Sequence, residues 1–333
     1  MKKILYLLLI GLIAFSSMGF SRVQTIKMGT LAPEGSVWHN ALREMGEEWQ
    51  RVSDGNVRMR LYSGGVAGDE MDMVRKMRIS QLHGAALTGN GLAGIAQENA
   101  IFQMPMFLRT DEELDHVLHE LSPKIEKIME EKGFKLLYWS EIGRVYLFSN
   151  KPVVTPEDLK PLKIWVWTGD AVWADALKDR GYKPVPLPST EIHTGLSSGL
   201  IDTVSAPPVA ALSYQWFGLA KNMMSMKWGP LTAAVVISKK EWEKIPANLR
   251  PQIHAAAVKA GAGAKERIRK LESEAIKAMQ GYGLKVNKVS PQVAATWQSE
   301  IEKTYPNLLG KSIPKEIYQE ASKILKEFRK KNK

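Results

Sequence analysis

No cysteine occurs in the 333 residues. That excludes disulfides, thiol nucleophiles, cysteine-ligated metals and a lipid anchor attached through cysteine. An exported chain of this length needs no disulfide, because it can bury a large core. No long apolar run follows the first residues, so no membrane-spanning domain is expected. Nor is there a P-loop, a G-x-S-x-G elbow or a carboxylate pair that stands out from the charged background. With no catalytic constellation in view, the chain is read as a non-enzyme without cofactor or metal.

What is present begins at the amino end. Met1-Lys2-Lys3 precedes an almost wholly apolar run from Ile4 to Phe15, then small residues from Ser16 to Ser21. A basic start, a short apolar stretch and a small-residue cut site describe a cleavable signal peptide over residues 1–21, and so a periplasmic protein. The formal charge of +11 falls to about +9 once Lys2 and Lys3 are removed, and much of the excess lies between Lys311 and Lys333. Hydrophobic content of 44% and charged content of 24% are those of a folded globule, so the basic excess reads as a solvated face. A nucleic-acid partner would ask for exposed aromatics among the basic residues and is not expected.

The pattern along the chain alternates. Thr25–Thr30 reads as a strand and Ser36–Val52 as a helix with apolar residues at helical spacing. Val57–Tyr62 is a strand, Asp69 caps a helix through Ile79, and Ala85–Thr88 is a further strand. Strand, helix, strand, helix, strand with short links predicts an α/β fold with a parallel, doubly wound sheet. Ligands in such sheets sit beyond the carboxyl ends of the strands. The loops after Thr30, Tyr62 and Thr88 therefore supply Leu31, Trp38, Asp69 and Asn90 as candidate contacts. A second α/β region starts near Arg144, with strands at Val145–Phe148, Leu162–Trp167 and Ile201–Ser205. Lys183–Pro186 reads as an extended link. Leu231–Ser238 reads as a strand returning to the first region, and the remainder as helix.

Two motifs bear on chemistry. Gly89-Asn90-Gly91-Leu92-Ala93-Gly94 matches G-x-G-x-x-G, but it follows a third strand rather than opening a βαβ unit, so it reads as a glycine-rich loop lining a crevice. His116 and His119 share a helix without a third ligand, which reads as a solvent-facing edge. Aromatics say more. Trp165 and Trp167 share one face of a strand, and Tyr214 and Trp216 follow. Such rings serve equally as core or as an apolar ligand wall.

Ser149-Asn150-Lys151-Pro152, Thr155-Pro156-Glu157-Asp158-Leu159-Lys160 and Leu162-Lys163-Ile164-Trp165-Val166, followed by Pro184, Pro186, Glu191, Gly199 and Asp202, resemble the DctP-type solute-binding proteins of TRAP transporters. Gly64–Glu70 resembles the G-x-x-G-[DE]-x-E loop of the same family. The resemblance implies a two-domain periplasmic binding protein with hinge strands and a long helix spanning both domains. The division expected is domain I over 22–144, domain II over 145–230, a return strand over 231–250, and the spanning and C-terminal helices over 251–333. It also implies a small-molecule ligand caught between the domains and a TRAP membrane permease as partner.

The departures from the family carry the specific expectation. Where most members have an arginine that pairs with a ligand carboxylate, this chain has Trp165. A second basic position falls on Val145, and an asparagine is replaced by Ala206. A buried carboxylate without a cation would be unstable, so the expected ligand is apolar or amphipathic. The expected wall is Trp165, Trp167, Val145, Tyr146, Ala206, Pro207 and Trp216. This resembles a TRAP subgroup that works with helical-repeat (TPR) periplasmic partners. The rival readings are an organic-acid binder using a relocated cation (Arg144, Arg75 or Lys151) and an interaction module with a vestigial cleft.

Overall fold

The computed structural model describes residues 23–332. The expected signal peptide lies outside the described residues. In the first lobe, β1 (Gln24–Thr30), α1 (Val37–Val52), β2 (Val57–Tyr62), α2 (Glu70–Arg78) and β3 (Gly84–Thr88) follow the expected alternation, and β1 pairs in parallel with both β2 and β3. The apolar face of α1, with Leu42, Met45 and Trp49, packs against Ile26 and Met28 of β1. Gly89-x-Gly-x-x-Gly forms no loop: it is a short helix, α3 (Gly89–Ile95). The carboxylate of Glu70 accepts from the N–H groups of Thr88 and Gly91, which satisfies donors at the start of that helix. A 3-10 turn (Gln97–Gln103) and α4 (Asp111–Glu131) follow.

The largest difference from the alternation comes next. β4 runs unbroken from Phe134 to Ser149, starting well before the strand expected at Val145. Its periodicity is obscured by bulges between Leu136 and Tyr138 and between Glu141 and Gly143. Gly143 sits at φ +130, a conformation that other residues rarely adopt, with Pro207 close by. Before the crossover β4 pairs antiparallel with β9; at Tyr146–Ser149 it pairs antiparallel with the second lobe.

The second lobe comprises α5 (Pro156–Leu159), β5 (Lys163–Trp167), α6 (Ala171–Lys178), β6 (Lys183–Leu187), α7 (Ile192–Ser197), β7 (Thr203–Ala206), α8 (Pro208–Ser213) and β8 (Asn222–Met224). The stretch read as a link, Lys183–Pro186, is β6, the edge strand beside β5. An edge tolerates Pro184 and Pro186, since their missing N–H groups leave no ladder bond unmade. β9 (Gly229–Ser238) then returns to the first lobe antiparallel between β3 and β4, so the sheet is mixed rather than wholly parallel.

The chain ends with α9 (Lys239–Lys244), α10 (Arg250–Gly281), β10 (Lys285–Asn287), α11 (Pro291–Glu302), α12 (Tyr305–Leu308) and α13 (Lys315–Lys331). The 32 residues of α10 give it a length of about 48 Å. Ile253 and Ala257 pack in the first lobe, Ala264 and Ile268 beside the crossover, and Met279 in the second lobe against the cluster of Phe148 and Trp165. Its small residues permit close approach: a Cβ at Gly261 would fall 2.2 Å from the Tyr138 ring.

Candidate functional site

Between the lobes lies a cavity of about 950 Å³. Its first-lobe wall comes from the ends of β1 and β3 and the helices that follow, through Leu31, Ala32, Trp38, Glu70, Thr88, Asn90 and Gln103. The second lobe supplies Trp165 and Trp167 from the end of β5, Ala206 and Pro207 from the end of β7, and Tyr214 and Trp216. Val145 and Trp228 stand at the crossover strands. Of the residues singled out from the sequence, Tyr146 and Asp69 do not line the cavity. Tyr146 neighbours Val145 on a strand and turns to the opposite side, where its hydroxyl donates to Glu272 at 3.0 Å. Asp69 is engaged elsewhere, as described below.

The second-lobe wall is apolar because its polar tips are occupied by protein. Trp165 Nε1 donates to the carbonyl of Leu187 at 3.1 Å and Trp167 Nε1 to Asp69 at 3.0 Å. The two rings meet with centroids 5.2 Å apart. Tyr214 stacks on Trp216 at 4.6 Å with only 7° between the planes, and its hydroxyl donates to the carbonyl of Leu31 at 2.7 Å. Trp165 is both things its sequence allowed: it packs with Ile192 and Ile201 and also borders the cavity.

Among the described residues, no arginine lines the cavity. Arg144 is buried on the far side of β4; its Nε donates to Asp111 at 2.6 Å and another guanidinium nitrogen donates to the carbonyl of Leu108 at 2.9 Å. Arg75 pairs with Asp72 at 2.8 Å on the exposed side of α2, and Lys151 is exposed away from the cavity. Lys132 and Lys311 do reach the cavity, but both are exposed and stay in water at its rim.

The wall does hold carboxyl groups. Glu70 is 1% exposed and accepts from Thr88 N–H at 2.7 Å, Thr88 Oγ1–H at 2.8 Å and Gly91 N–H at 2.9 Å. Burial pushes its pKa up to about 7, against the opposing pull of these three donors. Burial also raises Asp170, which caps α6 through the Trp173 N–H at 3.2 Å. The electrostatic character of the interior is thus neutral to negative.

Asp69 ties the lobes together. Besides capping α2 through the Glu70 N–H at 2.9 Å, its carboxylate accepts from Trp167 Nε1, from Ser189 N–H at 3.2 Å and from Ser189 Oγ at 2.8 Å. Trp167 and Ser189 both belong to the second lobe. His116 stacks on Phe328 at 4.7 Å, and no group of histidine and carboxylate side chains able to hold a metal occurs among the described residues.

Glu70, Gln103 and Trp228 were not among the candidate contacts, and Tyr214 was noted only as an aromatic beside Trp216. Glu70 falls at the unspecified position of Gly65-x-x-Gly68-Asp69-x, and the final glutamate of that pattern is Met71 here, so only Tyr214, two residues before Trp216, carried a signal. Gln103 and Trp228 reach the cavity only through the 3-10 turn and the entry to β9, which have no periodic pattern.

Two lobes joined by crossover strands, bridged by one long helix and enclosing a cavity define a hinged solute-binding protein. Residues 28–311 match the DctP family, described as bacterial extracellular solute-binding protein, family 7, and the chain belongs to that family. It is 27% identical to a solute-binding protein of Roseobacter denitrificans, over 80% of this chain and 81% of that one. It is 25% identical to the 2,3-diketo-L-gulonate-binding periplasmic protein YiaO of Escherichia coli, over 86% of this chain and 88% of that one. The fold superimposes with a TM-score of 0.85 on a TRAP periplasmic solute-binding protein of Ralstonia eutropha with bound (S)-2-acetolactate, at 21% identity over 91% of this chain and 99% of that one. Members of the family are solute-binding proteins, not enzymes, and a TRAP permease is the partner class that goes with them.

Proposed function

We propose that this chain is exported to the periplasm and captures a hydrophobic or amphipathic small molecule between its lobes for delivery to a TRAP membrane permease. A helical-repeat (TPR) protein is a second partner on this reading. Trp165, Trp167, Val145, Ala206, Pro207, Trp216, Leu31, Trp38 and Asn90 form the ligand wall, and Asp69 holds the lobes closed over it. The observation that carries the proposal is the composition of the wall among the described residues: aromatic and aliphatic surface, two carboxyl groups and no arginine. An acid bound there would lie beside Glu70 without a desolvated cation to offset it. An apolar tail gains about 0.8 kcal/mol per buried CH2, and a cavity of about 950 Å³ has room for a medium-length chain.

One observation favours a second reading. Relatives with a stated ligand, among them the E. coli, R. eutropha and R. denitrificans proteins, bind acids. An acid binder here would need a cation at the rim, where Lys132 and Lys311 stand. A thermal-shift panel separates the two readings. Medium-chain alkyl and aromatic compounds should raise the melting temperature by several degrees, while succinate, acetolactate and sugar acids leave it unchanged. The reverse pattern would establish the acid binder.

A further inference from the structure

The cavity is bounded by both faces of the second-lobe sheet, and the two faces differ in chemistry. β7 lies between β4 and β5. On one face Ala206 stands with Tyr146 and Trp165, where the aromatic wall begins. On the other face Leu147 of β4 pairs directly with Ser205. The parallel pairing of Ile164 with Thr203 brings Val166 of β5 beside Ser205 on its other flank. Leu147, Ser205, Ile164 and Val166 all line the cavity.

A serine between a leucine and a valine makes a trough, because a short side chain in the middle strand leaves a depression between two taller ones. Leu147 and Val166 stand two strand spacings apart, about 9.6 Å, and their side chains fill much of that distance. What remains is about the width of one hydrocarbon chain. Ser205 keeps part of its surface accessible, as do Val145, on the same face as Leu147, and Trp173 of α6. α6 roofs the trough: Leu177 belongs to the cluster of Leu147, Ile164 and Val166, Trp173 packs against that cluster, and both line the cavity. From Pro207 to the level of Ile164, beside Thr203, the trough follows β7 for about 13 Å.

We propose that this trough is a tail subsite for a single unbranched aliphatic chain, while the rest of the ligand stays on the other face of the sheet against Trp165, Trp167 and Trp216. The ligand class is then a linear-chain amphiphile. A flexible chain can bend round the strand ends at Pro207 and enter the trough; a rigid fused-ring compound cannot. The small size of Ser205 is what keeps the trough open, so this residue sets the chain length that gains affinity. This subsite rests on the apolar-cleft reading above.

The test uses the full mature chain and three probes, hexan-1-ol, octan-1-ol and decan-1-ol, titrated by calorimetry. Affinity should rise about tenfold with each two added carbons. Ser205→Leu fills the trough, and should weaken decan-1-ol at least about tenfold while changing hexan-1-ol less than about twofold. Ser205→Ala removes the hydroxyl but leaves the space, and should keep the native series. In crystals of the native chain with 10-bromodecan-1-ol, the anomalous signal of bromine should lie beside Leu147 and Leu177. That position needs no variant, so it decides the matter should Ser205→Leu fail to fold. An unchanged series in Ser205→Leu, an equal loss in Ser205→Ala, or bromine against Trp165 or Trp216 overturns the tail subsite and leaves the apolar cleft standing. Binding by none of the alcohols overturns the apolar-cleft reading and the subsite with it.

Discussion

Arg144 and Val145 are consecutive on β4, and they stand in opposite chemical worlds. Behind the strand, Arg144 meets Asp111, and Arg269 of α10 meets Asp115 at 2.8 Å and Glu141 at 2.5 Å, with Lys265 also on Asp115 at 2.6 Å. In front, Val145 faces a cavity that no arginine among the described residues lines. Cations are therefore plentiful at the crossover and paired there with the protein's own carboxylates. The lesson is that a basic residue adjacent in sequence to a ligand wall is no substitute for one in it, because strand alternation sends neighbours to opposite faces.

The sharpest way to break this comparison is to remove the cation behind the strand. Arg144→Met leaves Asp111 without its close partner and should lower stability by about 2–4 kcal/mol, somewhat below a fully buried pair because Asp111 is 39% exposed. Chemical denaturation reads the loss. Binding of an alkyl probe to the folded variant should change less than about twofold. Abolished binding of an acid would instead make Arg144 part of the site.

Asp69→Ala acts on the front side. It removes the acceptor for Trp167 and Ser189 together with the cap of α2, and should reduce stability by about 1–2 kcal/mol. It should also shift the lobes open, so that small-angle scattering gives a larger radius and alkyl probes bind a few-fold more weakly, in proportion to the lost closed population. An unchanged radius and affinity would reduce Asp69 to a helix cap.

The third comparison is in pH dependence. Because burial raises the pKa of Glu70 from 4.5 to about 7, the folded state holds a proton that the unfolded chain releases between those values. The associated stability is complete below pH 4.5 and lost as pH rises through about 7. His83 and His254, both lowered chiefly by burial, act in the opposite direction, losing stability as pH falls through 6.5. The difference between the native chain and Glu70→Gln isolates Glu70: the melting temperature of the native chain should fall more between pH 5 and pH 8. Parallel profiles would mean that Glu70 stays ionised.

Much of this architecture was legible in the sequence where local pattern and tertiary role agree. The first three strands and their helices alternate cleanly, and α10 is long and rich in alanine. The reading slipped where tertiary contacts set the outcome. β4 hides its length behind two bulges, the edge position of β6 accommodates prolines that would disrupt a central strand, and Glu70 turns a glycine-rich stretch into α3. In the cavity, Trp165 and Trp167 were visible through strand alternation and the family pattern. Gln103 and Trp228 reach the cavity only through the 3-10 turn and the crossover, which no spacing in the chain marks.

The direct measurement of the central claim is native mass spectrometry of the gently purified mature protein, with the bound small molecule released and identified. An alkyl or aromatic compound is expected. A dicarboxylate or sugar acid in one-to-one occupancy would contradict it.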